Sequence, residues 1–331
     1  MAQEKSELMS KKVVILGTGG TIAGLSLVPG AGGAYKAAQV SVDQLVAQAR
    51  TSDEVALVTE QLAQVDSKDM THALWQRLLS RMHQLQHDPD VVAIVITHGT
   101  DTLEETGFVL QACWPQGKLV VMTCAMRPAD APDADGPSNL RDAIALARTP
   151  GLSGVLMVCD GQVFEGHVFQ KVRTDGVQPF GADPLGPLGV YRDGKYRALR
   201  QVDRTRAYTA LLPHELQQVL TCAAWPRVEI VFNHAGSDGW GVSAWLKVSA
   251  QSDDEDCLRG IVLAGTGQGT CSERLESALR QAQATGVVIW RSTRATWGTV
   301  RSVANEEFRG VPWSPVKARI ALMLDMLTAR V

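Results

Sequence analysis

Short apolar runs alternate with amphipathic stretches through the first half of the chain. Residues 13–16, 55–59, 91–96, 119–124 and 155–158 read as buried strands, and helical stretches at 41–50, 69–86, 103–114 and 138–148 lie between them. In 69–86 the apolar residues Leu74, Leu78, Met82 and Leu85 recur at helical spacing, with Asp69 placed as the N-cap. Parallel neighbours in a sheet need a crossover connection, so the alternation restricts the chain to an α/β architecture with a mainly parallel, helix-covered sheet. Past Val190 the texture changes, and 191–206 is rich in arginine with little apolar periodicity. A second α/β pattern runs from a strand at 228–232 through a strand at 261–263, a helix at 272–284, a strand at 287–289 and a final helix at 315–329, where Pro315 suits the first turn. The expected division is a larger domain over 1–200, a linker over 201–224, in which Tyr208–Leu220 could hold short structure, and a smaller α/β domain over 225–331. A chain of 331 residues, 45% hydrophobic, is long enough to bury two cores.

Two glycine-bracketed threonine motifs leave the ends of predicted strands. The first is Gly17-Thr18-Gly19-Gly20-Thr21-Ile22-Ala23-Gly24 and the second is Thr97-His98-Gly99-Thr100-Asp101-Thr102. In an open α/β sheet, ligands bind in the crevice beyond the carboxyl ends of the strands. The first motif is not a dinucleotide fingerprint, because Ile22 stands where the third glycine is required. It is not a P-loop either, because no lysine follows the glycines. What remains is a turn that lets backbone approach a ligand and projects Thr21, with free N–H groups available to an oxyanion. A structural turn whose threonine caps the next helix fits the same local pattern.

The following loop, 25–34, holds Pro29, Gly30, Gly32 and Gly33 and leads to Tyr35, a hydroxyl that could be brought to Thr21 if the loop closes over a site. In the second motif, Asp101 beside Thr100 can hold an ammonium group or cap the helix that starts near Leu103. His98 reads as a packed, hydrogen-bonded residue rather than a general base. A threonine hydroxyl needs a base to become a nucleophile, and a desolvated lysine can serve. Lys171 is the candidate, in the mostly apolar segment Val168-Phe169-Gln170-Lys171-Val172.

Composition narrows the partners. The net charge is -3 and no basic stripe stands out, which argues against nucleic acid and leaves a small polar ligand. The six cysteines (Cys113, Cys124, Cys159, Cys222, Cys257 and Cys271) form no C-x-x-C pair and no zinc spacing, so no metal is expected. Cys124 and Cys159 lie in apolar runs and read as buried thiols, which favours a reducing compartment. Residues 1–8 lack the apolar core of a secretory signal, and no apolar run reaches membrane-spanning length. The expected location is cytoplasmic, or periplasmic if an export signal has been removed.

Together the segments resemble the bacterial L-asparaginase/glutaminase family, the two-threonine amidohydrolases. The resemblance is carried by residues 17–24, Asp66-Ser67-Lys68-Asp69-Met70, and His98 through Thr106. It extends through Ala125-Met126-Arg127-Pro128, Asp135-Gly136-Pro137-Ser138-Asn139-Leu140, the segment ending at Lys171, Arg291-Ser292-Thr293-Arg294 and Pro315-Val316-Lys317-Ala318-Arg319. It implies a flavodoxin-like, mainly parallel N-terminal catalytic domain, a smaller C-terminal α/β domain, and a homotetramer of intimate dimers with the site near an interface. By motif match Thr21 is the acylated nucleophile, assisted by Tyr35. Thr100, Asp101 and Lys171 form a second triad that activates the hydroxyl or the attacking water. Ser67 holds the substrate α-carboxylate and Asp101 its α-amine. Gly20, Ala125 and Gln268 join the substrate pocket, and backbone N–H groups near Gly20 and Thr100 serve as oxyanion donors.

The implied reaction is hydrolysis of L-asparagine to L-aspartate and ammonia, with no cofactor. Alternatives are a dual asparaginase-glutaminase, the ammonia-supplying subunit of a tRNA amidotransferase, and a non-catalytic amino-acid or nucleotide binding module. The amidotransferase subunit usually carries an additional N-terminal domain. A binding module would keep the glycine turns without needing Thr21, Thr100 and Lys171 together. Lys68 stands where a glutamine often follows the serine, and Gln268 where asparagine is usual. The stretch 298–308 is shortened against secreted relatives, which leaves open whether Glu306 or Glu307 supplies a second-subunit carboxylate.

Overall fold

A computed structural model describes residues 11–28, 34–49, 56–114, 117–202, 207–252, 256–303 and 306–331. The chain divides into two compact units, Met1–Leu211 and Leu212–Val331. The strands of the first are β1 (Lys12–Gly19), β2 (Leu25–Ser26), β3 (Tyr35–Lys36), β4 (Ala56–Val65), β5 (Val91–Thr97), β6 (Leu119–Thr123), β7 (Val155–Cys159), β8 (Gln162–Glu165), β9 (Gln170–Lys171), β10 (Phe180–Gly181), β11 (Gly189–Arg192) and β12 (Lys195–Ala198). Its helices are α1 (Val42–Ala49), α2 (His72–Gln86), α3 (Leu103–Cys113) and α4 (Gly136–Ala147).

Eight strands form one sheet in the order β12-β11-β8-β7-β6-β5-β1-β4. The five from β4 to β7 are parallel, and β8, β11 and β12 extend the sheet antiparallel. Parallel strands covered on both faces are apolar throughout rather than alternating, and β1, β6 and β7 are buried along almost their whole length. One face packs Val13, Ile15, Val95, Val121 and Val158 against Leu45 of α1 and Leu140, Ala143 and Ile144 of α4. Each fully buried Val, Leu or Ile contributes about 1.5–3 kcal/mol relative to exposure. The order β4-β1-β5-β6-β7 is that of a flavodoxin-like sheet, as expected. Its reversal falls between β1 and β5, the two strands from which the threonine motifs depart.

Several local expectations change. The N-cap of α2 is Thr71, whose hydroxyl accepts from the Leu74 N–H at 3.3 Å. Asp69 instead ends a 3-10 turn, Ser67–Asp69, and pairs with Lys68. Asp101 does not cap α3: the N-cap position is Thr102, and no side chain fills the cap. The arginine-rich stretch after Val190 is an antiparallel β11–β12 hairpin turned at Asp193-Gly194, where both residues have positive φ (51° and 74°). An Asp-Gly pair favours that turn. The loop residues Pro29, Gly30, Gly32 and Gly33 lie outside the described residues. Cys124 and Cys159, just past β6 and at the end of β7, are buried and free. A hydrogen bond to Cys159, reinforced by burial, holds the Cys124 thiol well above its usual range.

The second unit contains α5 (Pro213–Thr221), β13 (Arg227–Phe232), α6 (Trp240–Ser249), β14 (Leu258–Gly265), α7 (Glu273–Ala284), β15 (Val288–Thr293), β16 (Arg309–Gly310) and α8 (Pro315–Leu327). Its parallel sheet runs β13-β14-β15-β16. Val242 of α6 and Leu275 and Leu279 of α7 pack on Ile261, Leu263 and Ile289. The segment read as a linker, 201–224, thus contains a helix. Only Glu215 and Val219 of α5 are buried, so it shows little periodicity. Its sequence signals are Pro213 in the first turn and Glu215, whose carboxylate accepts the Leu212 N–H at 2.6 Å.

Candidate active site

The end of β1 is shaped by what glycine permits. Gly19 and Gly20 have φ of 104° and 83°, conformations that side-chain-bearing residues rarely adopt. The ladder to β4 shifts register between Gly17 and Gly19, and the Gly20 N–H reaches the Val65 carbonyl at 2.9 Å. Thr18 donates its hydroxyl to the Thr97 carbonyl at 2.9 Å and ties β1 to β5 where both strands end. A Cβ on Gly20 would lie 2.2 Å from the Gly99 Cα, and one on Gly99 would lie 2.5 Å from the Ser67 Oγ. Two backbone segments therefore touch with no side chain between them, and the Ser67 side chain packs directly against Gly99. Thr21 and Thr100 each follow one of the two touching glycines.

Thr21 opens a 3-10 turn, Thr21–Ala23, and is buried. Its Oγ1 lies 2.9 Å from the hydroxyl of Tyr35 on β3. Tyr35 is 40% exposed, and the β2–β3 hairpin that carries it is anchored by Asp130, which accepts from the Ser26 N–H and hydroxyl, each at 2.9 Å. Lys171, on β9, donates from Nζ to Thr100 Oγ1 at 2.9 Å and to Asp101 Oδ1 at 2.6 Å. Thr100 is buried, and the Lys171 and Asp101 side chains are 20% and 52% exposed. The arrangement is graded from interior to solvent: hydroxyl, then amine, then the carboxylate paired with that amine. Glu104, in the first turn of α3, accepts the Lys171 backbone N–H at 3.3 Å and so holds β9 against this corner.

Ser67 is buried and accepts the Asp101 N–H at 3.2 Å, while its carbonyl accepts the Thr102 hydroxyl at 2.7 Å. Lys68 beside it is held by Asp66 at 2.6 Å and Asp69 at 3.2 Å, and hydrogen bonding to those carboxylates raises its pKa. Ala125 is fully buried just past β6. The loop it belongs to is clamped by Asp135, whose carboxylate accepts the Met126 and Arg127 N–H groups at 3.0 Å each. Asn139 extends the clamp by donating to the Cys124 carbonyl at 2.9 Å and accepting the Asp160 N–H at 2.9 Å. Sequence reasoning gave Glu104, Asp135 and Asn139 no individual roles. A carboxylate just before Gly136-Pro137, at a helix start, was the available signal.

Gln268 belongs to the second unit. Its amide donates to the Thr299 carbonyl at 3.4 Å and accepts the Arg301 N–H at 3.2 Å. Both glutamates left open are committed within the unit. Glu306 is bound by Arg291, the Ser302 hydroxyl and the Gly310 N–H, and Glu307 by Arg280 at 2.7 Å. Among the described residues no group of three or more His, Cys, Asp or Glu side chains could hold a metal ion.

His98 is buried, with Nδ1 2.8 Å from the Gly99 carbonyl and Nε2 3.0 Å from the Thr106 hydroxyl. Burial pushes its pKa down to about 4, against the pull of the Gly99 carbonyl. The neutral ring is thus the native form. Unfolded, the ring takes up a proton below about 6.5, so between pH 6.5 and 4 the unfolded chain binds more protons and stability falls with pH. The contribution is complete above pH 6.5 and amounts to about 3 kcal/mol. Urea unfolding at pH 7 and pH 4 should show wild type losing about that much more than His98→Gln; equal losses would contradict the assignment.

Residues 12–204 match the family described as "Asparaginase, N-terminal", and residues 227–328 match "Glutaminase/Asparaginase C-terminal domain". The chain is 31% identical over 334 residues to L-asparaginase 2 of Bacillus subtilis, covering 98% of this chain and 84% of that protein. It is 32% identical over 324 residues to a glutaminase-asparaginase of Pseudomonas fluorescens, covering 95% and 86%. A crystal structure of a probable cytoplasmic L-asparaginase from Campylobacter jejuni superposes with a TM-score of 0.85 at 30% identity, covering 96% of this chain and 95% of that one.

Proposed function

Because the chain belongs to the asparaginase family, we propose that it hydrolyses L-asparagine to L-aspartate and ammonia through an acyl-enzyme on Thr21. The observation that carries the mechanism is the pairing of each threonine with its own proton-handling partner, Tyr35 on Thr21 and Lys171 on Thr100. In the first half-reaction Thr21 Oγ1 attacks the side-chain amide carbonyl, with Tyr35 beside it to pass on the proton, and ammonia leaves. In the second, water attacks the ester, activated by Thr100 through Lys171, and aspartate is released. Asp101 keeps Lys171 oriented and, with Ser67, faces the substrate's α-amine and α-carboxylate. Ala125 and the backbone at Gly20 and Thr100 contact the reacting amide. No step calls for a cofactor.

A second reading, substantial glutaminase activity, is favoured by the glutaminase-asparaginase among the relatives, and Gln268 in place of the usual asparagine leaves the preference open between the two amides. The proposal includes a homotetramer in which Gln268 serves a neighbouring subunit's pocket. It also includes a cytoplasmic location, supported by the likeness to the probable cytoplasmic enzyme of Campylobacter jejuni. Among the described residues no helix is long and apolar enough to cross a membrane. The deciding experiment is ammonia release measured side by side with asparagine and glutamine. Turnover of asparagine above glutamine is expected. Comparable rates move the assignment to the dual enzyme, and no release from either leaves a binding module.

A further inference from the structure

We infer that His98, locked by Thr106 and Trp75, is a positioning residue that aims the Thr100 N–H at the carbonyl oxygen of the reacting amide. The inference rests on the reaction proposed above. It starts from the proton positions, which the partners leave no freedom to vary. The Gly99 carbonyl can only accept, so His98 Nδ1, 2.8 Å away, carries the ring proton. In the neutral ring Nε2 is then the acceptor, and the Thr106 hydroxyl 3.0 Å away donates to it. The Trp75 indole N–H can only donate, and it meets the same hydroxyl at 2.9 Å. Trp75, Thr106 and His98 are all buried, so no water competes for these bonds. Each link of the relay fixes the next.

The relay ends on a peptide that matters. The Gly99 carbonyl and the Thr100 N–H belong to one planar trans unit and point in opposite directions. Pinning the carbonyl to the imidazole, toward Thr106 of α3 and Trp75 of α2, turns the N–H away from those helices. Among the described residues that N–H meets no acceptor. Gly99 has no side chain to hold the peptide, and the Ser67 and Gly20 contacts restrict its Cα rather than its rotation. The imidazole supplies the missing restraint. A donor aimed in advance at a developing oxyanion acts on the transition state and not on the bound substrate. The low pKa of His98 keeps the relay in its neutral form at pH 7.

The test compares Thr106→Val, His98→Leu and His98→Gln in the full-length enzyme. Valine keeps the shape of threonine without the hydroxyl, leucine removes the ring donor, and glutamine keeps an N–H that can reach the Gly99 carbonyl. For His98→Leu and Thr106→Val, kcat with asparagine should fall about 10- to 100-fold with KM within about twofold, and His98→Gln should recover part of the loss. Nitrogen-15 NMR of the wild-type imidazoles should show His98 as the neutral Nδ1–H tautomer at pH 7. Folded variants with wild-type kcat and only a lower melting temperature would overturn the positioning role alone. If the leucine and valine variants do not fold, an Nε2–H tautomer or an imidazolium in the wild-type spectrum overturns it. A wild-type protein that releases no ammonia from either amide removes the reaction itself.

Discussion

Replacing Thr21 by alanine is expected to cut ammonia release by at least about 1000-fold, the scale on which loss of a covalent nucleophile is felt. The fold should be nearly indifferent. Gly19 and Gly20, not the Thr21 side chain, set the course of the turn, and the hydrogen bond given up, to the part-exposed Tyr35, is worth about 1 kcal/mol. The two readouts separate the roles. Activity lost with the melting temperature held within a few degrees identifies a chemical group. Near-normal turnover would take Thr21 out of the mechanism and leave it as the first residue of a 3-10 turn.

Replacing Lys171 by methionine should lower kcat by about 100- to 10,000-fold, the range for a positioned general base. Methionine has nearly the same reach and no proton to exchange, and Asp101, half exposed, stays solvated when its partner goes. Little stability should be lost, since a part-exposed ion pair contributes at most about 1 kcal/mol. Lys171→Arg sharpens the result. Arginine preserves the charge facing Asp101 but does not deprotonate in proteins. A base is not replaced by it, whereas a merely electrostatic anchor is. Recovery of activity in the arginine variant would make Lys171 an orienting cation rather than a base.

The flavodoxin-like sheet was legible in the chain because β1, β5, β6 and β7 are buried on both faces and therefore read as unbroken apolar runs. The residue types of the candidate site were legible because glycines and hydroxyls follow those runs directly. Pairings between distant segments were not. Lys171 meets Thr100 across 71 positions, and no local pattern records where β9 folds back. The same holds for the Trp75–Thr106–His98 relay, in which each side chain taken alone is an ordinary core residue. Short elements were only faintly legible for another reason. In α5 and the β11–β12 hairpin few residues are buried, so end signals such as Pro213 and Asp193-Gly194 carry information that periodicity does not. The Asp69 cap failed by two residues because Asp66 and Lys68 first close a 3-10 turn there.

The most direct probe of the acyl-enzyme is intact-mass analysis of Thr100→Val after brief exposure to asparagine, followed by peptide mapping. In the proposed mechanism acylation needs Thr21 and Tyr35, while release of the ester needs the water that Thr100 and Lys171 activate. The variant should therefore accumulate a species heavier by asparagine less ammonia, with the added mass on the peptide that contains Thr21. An adduct on any other residue, or turnover that continues with no adduct at all, contradicts the account.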